Sequence, residues 1–316
     1  MACYHPISAY KDFHDLHDSG KPKIKFDLTY CKGAYEPVEL PCGRCIGCRL
    51  AYSREWANRC YLEGLQSKDS FFLTLTYDNV HLPANSTLDK RDLTLFMKRL
   101  RTYYERFMSH QGIRFFGCGE YGSKRSRPHY HIICWNLPIY DLIYYKTTKL
   151  GHKLYRSPIV EKIWGRGSVV IGLVTWESCA YTARYVLKKR KGKGSKLYYE
   201  RIKQVPEFTR MSRMPGIARE YYDKNKDVIY RSDEIIIKTS DGDSQVAKPP
   251  GYYDRLYDVN NHTQLTRLKR LRKVTAEAKI NIELERTTLS KCEYLELKER
   301  SKTEQSKYLQ RCFELE

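Results

Sequence analysis

The 316-residue sequence predicts an α+β fold: a central antiparallel sheet flanked by helices, with a cysteine-rich N-terminal segment and a helical C-terminal extension. Three observations lead there. Short β-branched and aromatic runs recur at 71–77, 113–121, 129–135 and 168–175. Amphipathic helical patterns lie between or beside them, at 49–65, 89–108 and 178–191. The two kinds of segment do not alternate in the regular βαβ rhythm of a parallel sheet.

Each element has a local reason. Residues 49–65 carry Leu50, Trp56, Tyr61 and Leu65 as the apolar positions of a helix. Residues 71–77, Phe-Phe-Leu-Thr-Leu-Thr-Tyr, read as a strand, and 78–87 as a loop containing Pro83 and Asn85. Residues 89–108 place Leu93, Phe96, Met97, Leu100 and Tyr104 at helical spacing. The runs 113–121 and 129–135 flank a polar loop short enough for a hairpin. Residues 168–175 form a further strand. A helix is expected at 178–191, with Ser178 as N-cap and basic residues at its C-terminal end. A late hairpin is expected from 228–230 and 234–238. Residues 240–251 read as a linker, and 265–316 as highly charged helix. There Leu268, Leu271, Ala278, Ile282 and Leu289 have near-heptad spacing, fitting a dimer coil or an arm folded back on the domain before it. The domain expectation is therefore a cysteine-rich segment over 1–66, a main domain over 67–239, and a linker with helical extension over 240–316. No internal repeat is evident.

Composition narrows the function. The net charge is +20, with 30% charged and 13% aromatic residues. Such a surface attracts phosphate and favours nucleic acid as a partner. The 27 tyrosines among lysines and arginines suit single strands, because bases stack on rings while cations follow the backbone. No run approaches bilayer length, and no basic n-region precedes an apolar stretch. The chain is expected to be soluble and intracellular, with no membrane partner. Eleven cysteines in that setting favour reduced thiols or a metal over disulfides. Cys42, Cys45 and Cys48 form Cys-x-x-Cys-x-x-Cys, which can wrap a structural Zn²⁺ if Cys3, Cys31 or Cys60 supplies a fourth ligand. An iron–sulfur cluster and buried free thiols are the other readings.

Two constellations carry chemistry. His129 and His131 alternate on a strand and so share a face. Glu120, near the end of the preceding strand, comes beside them if the two strands pair. A carboxylate and two imidazoles suit Mg²⁺ or Mn²⁺. Tyr181 and Tyr185 stand one helical turn apart, so their phenols share a face. Lys188 and Lys189 follow, and a nearby cation favours phenolate. Lys124, Arg125 and Arg127 in the hairpin loop are candidates for DNA contact, as are Arg184, Lys189 and Arg190 with the basic run behind them.

Several stretches together resemble a known family. They are Pro-Cys-Gly-Arg-Cys-Ile-Gly-Cys-Arg at 41–49, Phe-Leu-Thr-Leu-Thr-Tyr at 72–77, and Gly-Glu-Tyr-Gly at 119–122 through His131. Ala-Tyr-Thr-Ala-Arg-Tyr-Val-Leu-Lys-Lys at 180–189 and Met-Ser-Arg-Met-Pro-Gly-Ile at 211–217 complete the set. In this order, over residues 40–220, they resemble the HUH endonucleases, specifically the two-tyrosine rolling-circle initiators of gokushovirus-type microviruses. The middle residue of the triplet departs from the aliphatic pattern: Tyr130 is aromatic and is expected to point to the opposite face.

The resemblance implies an HUH-type palm fold and a DNA-nicking enzyme. Glu120, His129 and His131 would hold the divalent cation. Tyr181 and Tyr185 would serve as nucleophiles assisted by Lys188, and Tyr185 would act first because Lys188 is nearer to it. It also implies single-stranded origin DNA as substrate, a host polymerase and helicase as partners, and the host bacterial cytoplasm as location. A plasmid initiator, relaxase or transposase with the same core is an alternative. So is a non-catalytic, zinc-containing nucleic-acid-binding protein.

Overall fold

A computed structural model describes residues 3–18, 20–122, 126–148, 151–184, 194–238 and 242–307. In chain order the strands and helices are β1 (Ile7–Leu16), β2 (Pro22–Lys25), β3 (Tyr35–Leu40), α1 (Ile46–Gly64), β4 (Ser70–Tyr77), α2 (Lys90–Met108), β5 (Arg114–Tyr121) and β6 (Pro128–Trp135). Then come β7 (Ile143–Thr147), β8 (Lys153–Arg156), α3 (Pro158–Trp164), β9 (Gly167–Leu173), α4 (Trp176–Arg184), α5 (Ser195–Arg201), β10 (Phe208–Met211) and α6 (Arg219–Ser232). The last are β11 (Ile235–Lys238), β12 (Ser244–Ala247), α7 (Gly251–Tyr257), α8 (His262–Leu284) and α9 (Lys291–Lys307). The chain divides into two compact units. One joins the N-terminal residues through Tyr52 with the segment from Lys269 onward, and the other runs Ser53–Leu268.

The second unit is built on a seven-stranded sheet in the order β10-β5-β6-β4-β9-β8-β7, antiparallel at every pairing. The α+β expectation holds. Central strands β4, β5 and β6 are buried on both faces and so read as nearly continuous apolar runs. One face packs Leu73, Leu75, Tyr130 and Ile132 against Leu93, Phe96 and Leu100 of α2 and Trp164 of α3. The other packs Phe72, Phe116 and Ile133 against residues of α1, α4, α6 and α7.

Caps account for several helix starts. The Asp89 carboxylate accepts the Arg91 amide at 2.7 Å and opens α2. Ser157 caps α3, Pro158 occupies its first turn, and Gly165 closes it in the left-handed conformation.

Some expectations are corrected. Ser178 is not the N-cap: α4 begins at Trp176, and Thr175 and Ser178 cap reciprocally. The Ser178 amide donates to Thr175 Oγ1 at 3.3 Å, and the Thr175 amide donates to Ser178 Oγ at 2.9 Å. Residues 228–230 are helical rather than strand, because Tyr222, Ile229 and Tyr230 share the buried face of α6. Their 3.6-residue period outweighs the strand propensity of Val228 and Ile229. The true partner of β11 is β12, within the span read as linker. The shorter elements β7, β8, α3, α5, β10 and α7 carry too few residues for a clear period.

The first unit contains the sheet β2-β1-β3, which the sequence did not announce. Most residues of β1 are solvated on both faces, so apolar alternation is weak. Buried Asp12 accepts the amides of His14 and Lys32, each at 2.9 Å, and so fixes the turn region beside it. Helix α9 lies against the same N-terminal residues: Glu299 engages the His5 ring and accepts the Ile46 amide, and Lys291 pairs with Glu39 at 3.0 Å. Leu271, Ile282 and Leu289 of the near-heptad row are exposed. Among the described residues, no helix is long and apolar enough to cross a membrane.

Gly167 stands at the start of β9 with φ +141°, opposite Tyr77. A Cβ there would lie 2.3 Å from the Thr76 carbonyl oxygen and 2.4 Å from the Asp78 nitrogen, both backbone atoms. Gly167→Ala is therefore expected to lower unfolding stability by about 1–3 kcal/mol, measured by urea denaturation; an unchanged midpoint would contradict this packing.

Candidate metal centre and tyrosine helix

The hairpin β5–β6 brings the predicted residues together. Its turn closes where the Gly122 amide donates to the Arg127 carbonyl at 3.0 Å. In this register Glu120 stands directly opposite His129, and Cys118 opposite His131. On the other side of β6, β4 places Thr74 opposite His131 and Thr76 opposite His129. Strand alternation then puts all of these side chains on one face of the sheet.

The geometry is tight. Glu120 Oε1 lies 2.6 Å from His129 Nε2 and 3.2 Å from His131 Nε2. Glu120 and His131 are buried, and His129 opens to solvent with a side chain 17% exposed. Burial raises the Glu120 carboxyl pKa, but hydrogen bonds to His129 and His131 and their charge hold it well below the usual carboxylate range. It is therefore an anionic donor.

The outer ring nitrogens are held as well. His129 Nδ1 lies 3.0 Å from the Arg127 carbonyl oxygen, which can only accept, so Nδ1 carries the hydrogen. In the neutral ring this turns the Nε2 lone pair towards Glu120. His131 Nδ1 lies 3.0 Å from Thr74 Oγ1, and Phe72 stacks on the His131 ring at 5.4 Å. The donor atoms of Glu120, His129 and His131 all lie within 4.8 Å of one another, so the group could hold a metal ion. Two imidazoles and a carboxylate with fixed tautomers suit Mn²⁺ or Mg²⁺.

Tyr130 faces away, as expected. Its hydroxyl donates to the Asp89 carbonyl at 2.7 Å and accepts the Asp89 amide at 3.0 Å. The middle residue of the triplet thus anchors the start of α2, while its neighbours form the centre on the opposite face.

Helix α4 packs over that centre. Trp176 Nε1 donates to Asn58 Oδ1 of α1 at 3.3 Å and fixes the helix start. Tyr181 is buried at 3% exposure, with its ring 5.4 Å from His131 and 6.0 Å from Phe72, edge-on to both. Arg184 ends the described part of the helix and is half-buried. Tyr185, Lys188, Lys189 and Arg190 lie outside the described residues, as do Lys124 and Arg125. Arg127 Nη2 donates to the Tyr77 carbonyl at 2.8 Å and to Asn79 Oδ1 at 3.1 Å, tying the hairpin to the end of β4.

A family model for the replication-associated protein ORF2 matches residues 70–190, from β4 through the tyrosine helix. The chain is 36% identical over 265 residues to the replication-associated protein ORF2 of Spiroplasma virus 4, covering 81% of this chain and 80% of that one. The chain belongs to the replication-associated protein ORF2 family. The similarity extends to VP4 of Bdellovibrio phage phiMH2K, 37% over 193 residues (60% and 58% of the two chains). It includes ORF4 of Chlamydia phage 1, 34% over 181 residues (53% and 44%). Both are replication-associated proteins by name. No solved structure matches the chain.

The motif at 211–217 has a structural part in this fold. The Ser212 amide donates to the Phe115 carbonyl at 2.9 Å, continuing the β10–β5 ladder. Arg59 of α1 donates twice to the Ile217 carbonyl, at 3.2 and 3.0 Å. A Cβ on Gly216 would meet the Tyr252 hydroxyl at 2.5 Å.

The cysteine motif forms a second group in the first unit. Cys3, Cys42, Cys45 and Cys48 gather so that their sulfurs lie within 4.8 Å of one another. Cys3 is the fourth thiol; Cys60 lies in the core of the second unit. Backbone amides surround the sulfurs. Arg44 and Cys45 donate to Cys42 Sγ at 3.4 and 3.3 Å, Tyr4 and Cys48 donate to Cys45 Sγ at 3.4 Å, and Cys42 donates to Cys3 Sγ at 3.2 Å. Burial raises the Cys42 thiol, but the amides of Cys45 and Arg44 outweigh it and bring the pKa to about 6. Four thiols with amide-stabilised charge suit tetrahedral Zn²⁺. Sequence spacing could find three of them. The fourth, some forty residues earlier, required the fold.

The chain purified without chelator is accordingly expected to carry about one zinc per molecule by elemental analysis. Cys42→Ser should lose that zinc and melt at lower temperature. Undetectable zinc in the unaltered chain, with an unchanged melt in the variant, would count against the centre.

Proposed function

We propose that this phage replication-associated protein is an HUH-type endonuclease. It would nick and rejoin single-stranded origin DNA through a phosphotyrosyl intermediate, beginning and ending rolling-circle replication. The observation that carries the reading is the Tyr181 ring at 5.4 Å from His131, within a cluster of Glu120, His129 and His131. Nucleophile and metal donors thus come from elements fifty residues apart and meet on one sheet face.

Glu120, His129 and His131 would hold a divalent cation, which when bound supplies Lewis-acid polarisation of the scissile phosphate. Glu120 stays ionised, and the Arg127 carbonyl and Thr74 hydroxyl keep each imidazole oriented. The Tyr181 oxygen would attack phosphorus and lose its proton to solvent or a base. The bond from phosphorus to the 3′ oxygen breaks, and that oxygen takes up a proton. The products are a 5′-phosphotyrosyl enzyme and a free 3′-hydroxyl for a host polymerase to extend. The covalent link conserves the phosphodiester, so no nucleotide cofactor is required. Tyr185, four residues on, would supply the second nucleophile that closes the circle, with Lys188 favouring its phenolate. Arg184, Lys189, Arg190 and the hairpin residues Lys124, Arg125 and Arg127 would contact the DNA backbone. The four-cysteine centre would hold zinc and brace the N-terminal segment. The domain boundaries at 66 and 239 frame the nicking core.

With Mn²⁺ and single-stranded origin DNA, the chain is expected to form a covalent adduct visible on a denaturing gel. Tyr181→Phe with Tyr185→Phe should abolish it without unfolding the protein, because Phe keeps the packing against Phe72 and His131. His129→Ala with His131→Ala should abolish nicking and leave salt-sensitive DNA binding. An adduct undiminished in the double tyrosine variant would remove both tyrosines from the chemistry.

Thr74→Val deletes the hydroxyl beside His131 Nδ1 and keeps the strand residue β-branched. The Mn²⁺ concentration for half-maximal nicking is expected to rise about 10–100-fold. An unchanged metal requirement would make Thr74 a packing residue only.

A further inference from the structure

A groove of about 680 Å³ lies on the sheet face opposite the metal centre, between α2 and the edge strand β10. Lys90, Lys98, Arg101, Arg210 and Arg213 line it, and no acidic residue does. Among the described residues, none of these five forms an ion pair with a carboxylate. Lys90, Lys98 and Arg101 fall on one stripe of α2, at spacings of eight and three residues. Arg210 reaches them from β10, where its Nη1 donates to the Thr94 hydroxyl. Five cations so gathered repel one another, and an anion relieves that repulsion.

The groove also has a ring. Phe208 is half-buried at its floor, 6.3 Å from Tyr130 and with Lys90 Nζ 5.7 Å from its centroid. It stands opposite Gly119 in the β10–β5 pairing. A Cβ on Gly119 would lie 2.8 Å from Phe208 Cε1, so glycine is what lets the ring seat there. Glu120, the next residue on β5, points to the other face, towards the metal centre. The groove and the centre are thus back to back at one end of the sheet.

We propose that this groove is a second site for single-stranded DNA, with the phosphate backbone on the cations and a base on Phe208. Cations flanking an aromatic platform are the combination that binds single strands without sequence preference. The volume accommodates a small-ligand-sized piece of chain, one or two nucleotides rather than a duplex. The proposal rests on the reading that this protein acts on single-stranded DNA. It assigns the groove to holding strand away from the cleaved phosphate.

The test uses the full chain, a fluorescent oligothymidylate and a chelator, so that the metal centre takes no part. Anisotropy is recorded across a salt series for the unaltered chain, for Lys98→Gln/Arg210→Gln/Arg213→Gln, and for Phe208→Leu. The triple variant is expected to bind about 10–100-fold more weakly at about 0.1 M salt, with the slope of log K against log salt reduced by about 2. Phe208→Leu keeps an apolar side chain over Gly119. It is expected to weaken binding about tenfold with the slope unchanged. Melting temperatures matching the unaltered chain establish that the variants fold. Affinity and slope unchanged in both variants would overturn the proposal. So would competition by polyglutamate equal to that by unlabelled oligothymidylate, with no effect of Phe208→Leu, since the groove would then be an acidic-peptide surface. The groove is judged on binding and the nicking reading on the covalent adduct. An active protein with unaltered binding in the variants sinks only the groove; a groove that binds in a chain forming no adduct sinks only the nicking.

Discussion

Glu120 is a carboxylate with 1% of its surface exposed, a placement that would be costly without charged or hydrogen-bonding partners. His129 and His131 supply them, and they do so only because β5 and β6 pair in one register. A slip of one residue would carry both imidazoles to the α2 face, where Tyr130 sits now. The same slip would pull the Tyr130 hydroxyl from the Asp89 amide and carbonyl and undo the start of α2. Core packing and site geometry therefore select the same register. The apolar residues on both faces of the strands enforce it more strongly than the polar cluster could alone.

The tyrosine helix depends on that register at one remove. Tyr181 packs between Phe72 and His131, whose own rings stack at an interplanar angle of 15°. Thr175 and Ser178 set the helix start, and Trp176 ties it to Asn58 of α1. The phenol is thus positioned by a cap, a side-chain tether and two aromatic neighbours. A nucleophile held this way has few rotamers to lose on reaching a phosphate, which is the form of preorganisation that proximity effects require.

Much of this was legible in the sequence. The central strands and α2 have strong periods, and Glu120, His129 and His131 follow from alternation across a short hairpin. The order of strands was not legible. That β4 lies beside β6 is a long-range fact, and with it comes the Thr74 hydroxyl at His131 Nδ1. The same holds for Cys3, which joins the other three thiols across a three-stranded sheet whose β1 has little apolar alternation. The misread segment 228–230 failed for a different reason. Val228 and Ile229 favour strand locally, and only the spacing back to Tyr222 reveals the helix. Short β-branched runs are decided by the surface they bury, not by their own preference.

Gly119 and Glu120 show how little chain separates two different tasks. The first leaves space for Phe208 on one face, and the second gives its carboxylate to the imidazoles on the other. Because successive strand residues point oppositely, neither can be exchanged for its neighbour: a side chain at 119 would collide with Phe208, and the carboxylate moved there would lie among apolar residues beneath α2. The Gly-Glu dipeptide is best understood as one constraint from each side of the sheet. That explains why a motif without evident chemistry in its first residue accompanies a motif with chemistry in its second.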